Sequence, residues 1–277
     1  MKVSSSSEPL DGESVALTNV GGVVSGMGVA VGVGVGLGPG VGVAVGKTKL
    51  RGTGVGVAVG KAVLRVKLTT ATVPDANVAD YLHVAALKPG GGFGIFIVAR
   101  EQDGVEISML KTIGSDKQAE VVLNNVKVNA DDAVAVDMSK MGRVRNIGTS
   151  LECSYLVGLA QKDFEIAIDY AKERVQFGRP IGSFQAIQHK AADMVTDVDG
   201  MRFITYKAAW ATSEDEESQD MDVAMAKAWC SDASRRVVAH GQQIHGGIGF
   251  TKDYIIQLYF RRQKRAELFW GDADFHR

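Results

Sequence analysis

The chain has 277 residues, with 31 Lys and Arg against 32 Asp and Glu and a net charge of −1. That length allows about two domains, and the even charge leaves no basic field to hold a nucleic-acid backbone or an anionic membrane surface. Cys153 and Cys230 fall in helical patterns far apart in sequence and are expected as reduced, buried thiols without a disulfide. Met1 to Leu10 is serine-rich, with one lysine and no apolar h-region, so no secretory signal is read there and the cytoplasm is the expected location.

The first segment, 1–62, reads as low-complexity Val/Gly sequence, a degenerate start to a β-domain. Val20 to Gly46 carries no charge, yet glycine fills nearly every second place, so it lacks the Leu- and Ile-rich character of a membrane span and none is expected. The octapeptide Gly-Val-Gly-Val-Ala-Val-Gly-Lys occurs at 40–47 and again at 54–61, which marks duplication. Gly32, Gly34, Gly36, Gly38 and Gly40 keep strict period two, whereas a dinucleotide-binding fingerprint needs one odd step, so parity excludes it. If ordered, this run would be strand.

From 63 to 138 the pattern is β: Tyr81 to Leu87, Gly94 to Ala99, Val105 to Leu110 and Glu120 to Val128 are short apolar runs separated by Gly, Pro and Asp turn signals. They predict a small antiparallel sheet of meanders. From 142 to 277 the period becomes helical. A first helix over about Asn146 to Glu173 carries Leu151, Tyr155, Leu159, Ile166 and Tyr170; a last one spans about Asp253 to Phe269. Between them two seams step by three and four: Phe184, Ile187, Ala191, Met194, Val198, Met201, and Val223, Ala226, Cys230, Ala233, Val237, His240, Ile244. The expected class is α+β, a small antiparallel β-domain followed by an antiparallel four-helix bundle.

The loop after the first helix reads Glu173-Arg174-Val175-Gln176-Phe177-Gly178-Arg179-Pro180-Ile181-Gly182-Ser183-Phe184-Gln185, and a later turn reads Gln243-Ile244-His245-Gly246-Gly247-Ile248-Gly249-Phe250. Both resemble the signature loops of the acyl-CoA dehydrogenase family, in the same order and spacing. Val73 to Asp80 is similar to the strand that passes the flavin ring, and Ala119 to Val128 to the closing strand. The resemblance covers about residues 63–277 and implies FAD as cofactor, an acyl-CoA substrate, a homo- or hetero-oligomer and an electron-accepting flavoprotein as a possible partner. It implies that Arg174 and Gln185 bind the FAD of a neighbouring subunit with Phe177 stacking nearby, while Gln243, Gly246 and Gly247 meet the adenosine-pyrophosphate part. An arginine fork and a bare glycine backbone suit a pyrophosphate on physical grounds as well. Taken singly, each of these residues has a plainer reading as a helix cap, a solvated side chain or a chain turn; their joint spacing carries the assignment.

Upstream, Val15 to Gly22 resembles the loop in which Thr18 would face the flavin, although Asn19-Val20 replaces the family's Glu-Pro, and Thr72 is the second threonine assigned to the cofactor. The family's N-terminal helical domain has no counterpart in the sequence and is expected to be missing.

Desaturating an acyl-CoA needs a carboxylate against the α-carbon while a hydride leaves the β-carbon. The family places that acid just after the last helix, or in the first helix twenty-six residues before the FAD-binding arginine. Those positions are Trp270 and Gly148. Three nearby carboxylates are weak substitutes: Glu152, one turn beyond Gly148, whose plain reading is a helix-surface charge, and Asp272 and Asp274 after Trp270, with Asp272 plainly read as a solvated post-helix acid. Asp272, Asp274 and His276 alternate but form no second cluster, so no metal is assigned. His240, in an apolar seam, reads as a satisfied core histidine. The implied function is an FAD-dependent acyl-CoA dehydrogenase-like oxidoreductase without its usual glutamate. The alternatives are a catalytically silent FAD-binding partner subunit and a degenerate homologue.

Overall fold

The computed structural model describes residues 63–87, 93–129, 134–135 and 138–277, so the duplicated tract and Thr18 lie outside the described residues. The chain divides into a sheet unit and a helical unit, the latter formed by 139–277 together with 111–116.

Among the described residues the sheet unit is antiparallel as expected, in two three-stranded sheets. β1 (Val63–Pro74), β5 (Gln118–Asn129) and β4 (Val105–Leu110) form the first in the order β1-β5-β4. β2 (Tyr81–Leu87), β3 (Phe93–Ala99) and β6 (Val134–Ala135) form the second. In β5 the buried residues are Ala119, Val121 and Leu123, then Val126 and Val128. That change of phase coincides with a positive φ of 57° at Asn125 and a register shift against β1 between Val66 and Leu68. One extra residue in the strand keeps valines inward on both sides of the bulge. The stretch 73–80 is strand only to Pro74; Asp75 then turns the chain at φ 54°, with its carbonyl accepting from the amides of Val78 and Ala79.

The helical unit consists of α1 (Met138–Glu173), the hairpin strands β7 (Val175–Gln176) and β8 (Arg179–Pro180), α2 (Gln185–Ser213), α3 (Gln219–His245), α4 (Ile256–Leu268) and a short α5 (Ala273–His276). α1 begins well before the expected Asn146. The core joins Cys153, Leu156, Ala160 and Ala167 of α1 to Met194, Val198 and Met201 of α2, to Val223, Ala226, Cys230, Ala233 and Val237 of α3, and to Ala266 of α4. The α2 and α3 seams are therefore largely as read, and α1 is so in part: Leu159 is buried and Tyr170 packs against the core, whereas Leu151 and Tyr155 are exposed and Cys153 and Leu156 take the inward places. Alanine and cysteine beside the buried Leu156 and Leu159 let helix axes approach closely. His240 is only partly covered, whereas His245 is the buried histidine, 3% exposed, with Nδ1 held 2.8 Å from the Gly241 carbonyl oxygen. No helix among the described residues is long and apolar enough to cross a membrane.

Candidate functional site

The two signature loops lie at one end of the bundle, because Tyr170 in the last turn of α1 stacks on His245 at the end of α3 with ring centroids 4.4 Å apart. The first loop is a two-residue hairpin. Val175 pairs with Pro180 and Gln176 with Arg179, leaving Phe177 (φ 54°) and Gly178 (φ 79°) as the turn. Positive φ at both central residues matches the twist of the flanking strands, and glycine takes the second place without strain. Arg179 lies over the Phe184 ring at 4.1 Å, and Phe177 meets the same ring edge-on at 6.1 Å, which ties the hairpin to the start of α2. Phe177 nevertheless stands 93% exposed, and Arg174 and Gln185 are exposed beside it.

At the second loop α3 ends on Gly246, whose φ of +62° and ψ of −137° only glycine adopts readily. Among the described residues a Cβ at Gly246 or at Gly247 would meet nothing within 4 Å, so their packing does not account for the bareness of Gly247. Gln243 is exposed next to them. An open glycine backbone at the same end of the bundle as the exposed Arg174 and Phe177 fits a diphosphate-bearing, ring-stacking cofactor such as FAD. Thr72 lies in β1, with its backbone paired to Glu120.

The two positions where an acid would stand meet at a different place in the helical unit. A Cβ added to Gly148 would lie 2.8 Å from Cε2 of Trp270, well inside van der Waals contact. The indole therefore occupies the space that a side chain at 148 would need. Trp270 and Gly271 both take positive φ, 62° and 92°, in the turn that leaves α4. Lys227, with no exposed surface, directs its ammonium to Ser231 Oγ at 3.0 Å, the Glu267 carbonyl at 2.8 Å and the Gly271 carbonyl at 2.6 Å. His276 Nε2 lies 2.8 Å from the Trp270 carbonyl oxygen. Burial pushes the His276 imidazole below its ordinary range, so the neutral ring donates from Nε2.

Glu152 is not a surface charge. It is 9% exposed, and Oε1 accepts from Arg265 at 3.1 Å. Burial raises its carboxyl above the usual range despite the opposing pull of Arg265 and Lys227. Arg265 also approaches Asp116 at 3.3 Å and covers the Phe269 ring at 4.2 Å, so the pair belongs to a cluster beside the Trp270 turn. Asp272 caps α5, accepting from the Phe275 amide at 3.0 Å, and Asp274 pairs with Arg277. These are helix-end roles. Sequence reasoning passed over Lys227 and Asp163, both fully buried. The signal was present, since Lys227 stands four residues after Val223 and three before Cys230 on the α3 seam.

The residues thus form two groups. Gly148 and Arg174 are twenty-six residues apart on and just beyond one continuous helix, a span of about 39 Å at 1.5 Å per residue.

A family model described as the C-terminal domain of acyl-CoA dehydrogenase matches residues 146–277. Acyl-CoA dehydrogenase FadE27 of Mycobacterium tuberculosis is 32% identical over 217 residues, covering 76% of this chain and 57% of that protein. A 3-(aryl)acrylate reductase of Clostridium sporogenes is 31% identical, covering 75% of this chain and 56% of that protein. Among solved structures, a chain of the ChsE4-ChsE5 complex from Mycobacterium tuberculosis superposes with a TM-score of 0.70 at 31% identity, covering 87% of this chain and 62% of that chain. The chain spans just over half the length of these curated relatives.

Proposed function

Because the chain belongs to the acyl-CoA dehydrogenase family, whose members are FAD-dependent, we propose that it serves as the flavin-holding subunit of a heteromeric assembly that desaturates an acyl-CoA thioester at its α,β carbons. In this reading the partner chain carries the base. The observation behind it is the indole of Trp270 lying against Gly148, where the family would place an acid. An indole N–H has no basic lone pair, and the ring fills the volume a carboxylate would use.

When bound, FAD supplies the acceptor for the hydride that leaves the β-carbon. Arg174 and Gln185 would hold it from the hairpin end of the bundle, with Phe177 against its rings and the Gly246–Gly247 backbone at its diphosphate. A span of about 39 Å separates that end from Gly148, so one copy's hairpin does not serve its own acyl site and reaches a neighbour instead. A nearly bare Phe177 is a side chain suited to a partner's surface. That a related chain was solved as a ChsE4-ChsE5 complex agrees with pairing of unlike subunits.

The burial and raised pKa of Glu152 favour a second reading, an active dehydrogenase with a relocated base. Visible absorbance of the purified chain, recorded with and without acyl-CoA, separates the two. The partner-subunit reading expects flavin absorbance that acyl-CoA alone bleaches very slowly or not at all, and faster once a base-bearing partner is added. Rapid bleaching of the unpartnered chain, abolished by Glu152→Gln, would establish the relocated base. A chain that takes up no flavin would be a degenerate homologue.

A further inference from the structure

Three backbone carbonyls of the turn from Glu267 to Gly271 are held by side chains from outside it. Lys227, projecting from α3, takes the carbonyls of Glu267 and Gly271, one on each side of Trp270. His276, from α5, takes the carbonyl of Trp270 itself. Two consecutive residues with positive φ, the first of them a bulky tryptophan, form a conformation the chain does not adopt without outside support. A fully desolvated ammonium whose three protons all find acceptors is a stiff strut, because moving any one carbonyl leaves a charged donor unsatisfied in the interior. It also sits at the C-terminal end of α4, where the helix dipole favours a cation.

We infer that Lys227 and His276 are positioning residues which fix the 267–271 turn, so that whatever side chain stands at 270 is presented to Gly148. The strut acts on backbone atoms only and is indifferent to the identity of residue 270. The turn therefore keeps the aim that an acid would need, although a tryptophan now occupies the place. The structural part of this inference stands alone; its consequence for catalysis rests on the reading of 148 and 270 as the acyl site.

The test uses the full chain with Trp210→Phe and Trp229→Phe, which leaves Trp270 as the one indole of the three in the sequence. Emission maximum and acrylamide quenching then report its packing. Lys227→Met and His276→Leu are each expected to shift the emission to the red and increase quenching. His276→Gln, which keeps an N–H donor, should stay close to the parent. His276 lies in the final short helix, so its variants remain informative if Lys227→Met does not fold. Unchanged emission and quenching in folded Lys227→Met and His276→Leu would overturn the inference. A second arm places an acid at 270. Trp270→Glu, loaded with FAD, is expected to gain reduction by acyl-CoA, and Lys227→Met in that background to lose about 100-fold in kcat, the scale of an ångström-sized misplacement, with a displaced pH profile. If the fluorescence changes occur while Trp270→Glu stays inactive, the assignment of the acyl site fails and the positioning roles stand.

Discussion

Gly148 and Trp270 share one volume: the indole packs on the bare α-carbon so closely that a methyl group at 148 would lie 2.8 Å from Cε2. Gly148→Ala should raise helix propensity in α1 yet destabilise the protein by about 1–3 kcal/mol through overpacking. The same change in a Trp270→Ala background should cost little or become favourable. Thermal melts of the four proteins in this cycle check it, and additive effects would show that the two residues do not compete for space.

Arg174 stands exposed beside the hairpin that the proposed function assigns to flavin retention. Arg174→Ala removes a charge-assisted contact of about 1.5–3 kcal/mol, so FAD should bind roughly 10- to 100-fold more weakly. Equilibrium dialysis of the reconstituted protein measures this. FAD affinity equal to that of the parent would remove Arg174 from the site.

Asp163 is fully buried on α1, with neither carboxylate oxygen hydrogen-bonded, and burial alone raises its pKa to about 8. In the unfolded chain an aspartate ionises near pH 3.9, roughly four units lower. Between these values the native state keeps a proton that the unfolded state has released, so this group makes stability fall with rising pH, by at most about 1.4 kcal/mol per unit. Its contribution is complete below about pH 4 and levels off above about pH 8. Denaturant midpoints measured at pH 5 and pH 8 should show a decline that Asp163→Asn flattens; an equal decline in the variant would assign it to other groups.

The Glu152–Arg265 pair gives Glu152 a structural role that stability measurements read. Both side chains are mostly buried, at 11% and 26% exposure. Glu152→Leu leaves the guanidinium with one fewer anion and should cost about 1–3 kcal/mol. Glu152→Gln keeps an acceptor at the same place and should recover much of that in urea titrations. If the glutamine variant is as unstable as the leucine variant, the ionised form is what holds Arg265.

The bundle was readable because α2 and α3 bury one side chain every three or four residues, and Met194, Val198, Val223 and Cys230 announce that period directly. Boundaries at Gly246 and at the Phe177–Gly178 turn were equally plain, since glycine marks backbone that other residues avoid. On α1 the expected seam holds at Leu159 and Tyr170 and fails at Leu151 and Tyr155. Cys153 and Leu156 face inward there instead, and which of two adjoining stripes is covered depends on neighbours no single helix records. The strut from Lys227 escaped notice for a similar reason: a lysine is read as solvated until its three acceptors, contributed from Ser231, Glu267 and Gly271, are seen together. Trp270 and Gly148 were each identified, yet nothing in their separate positions indicated that one fills the space of the other.

Phe177, 93% exposed at the tip of its hairpin, bears on how the cell must handle this chain. In the assembly proposed above a neighbour would cover this ring, so a copy without one would leave it in water. If that cover also stabilises the chain, its steady-state amount would follow the supply of the neighbour, because unfolded copies are continuously removed. Matched synthesis of the two would then be a requirement set by one side chain, independent of any need for equal catalytic capacity.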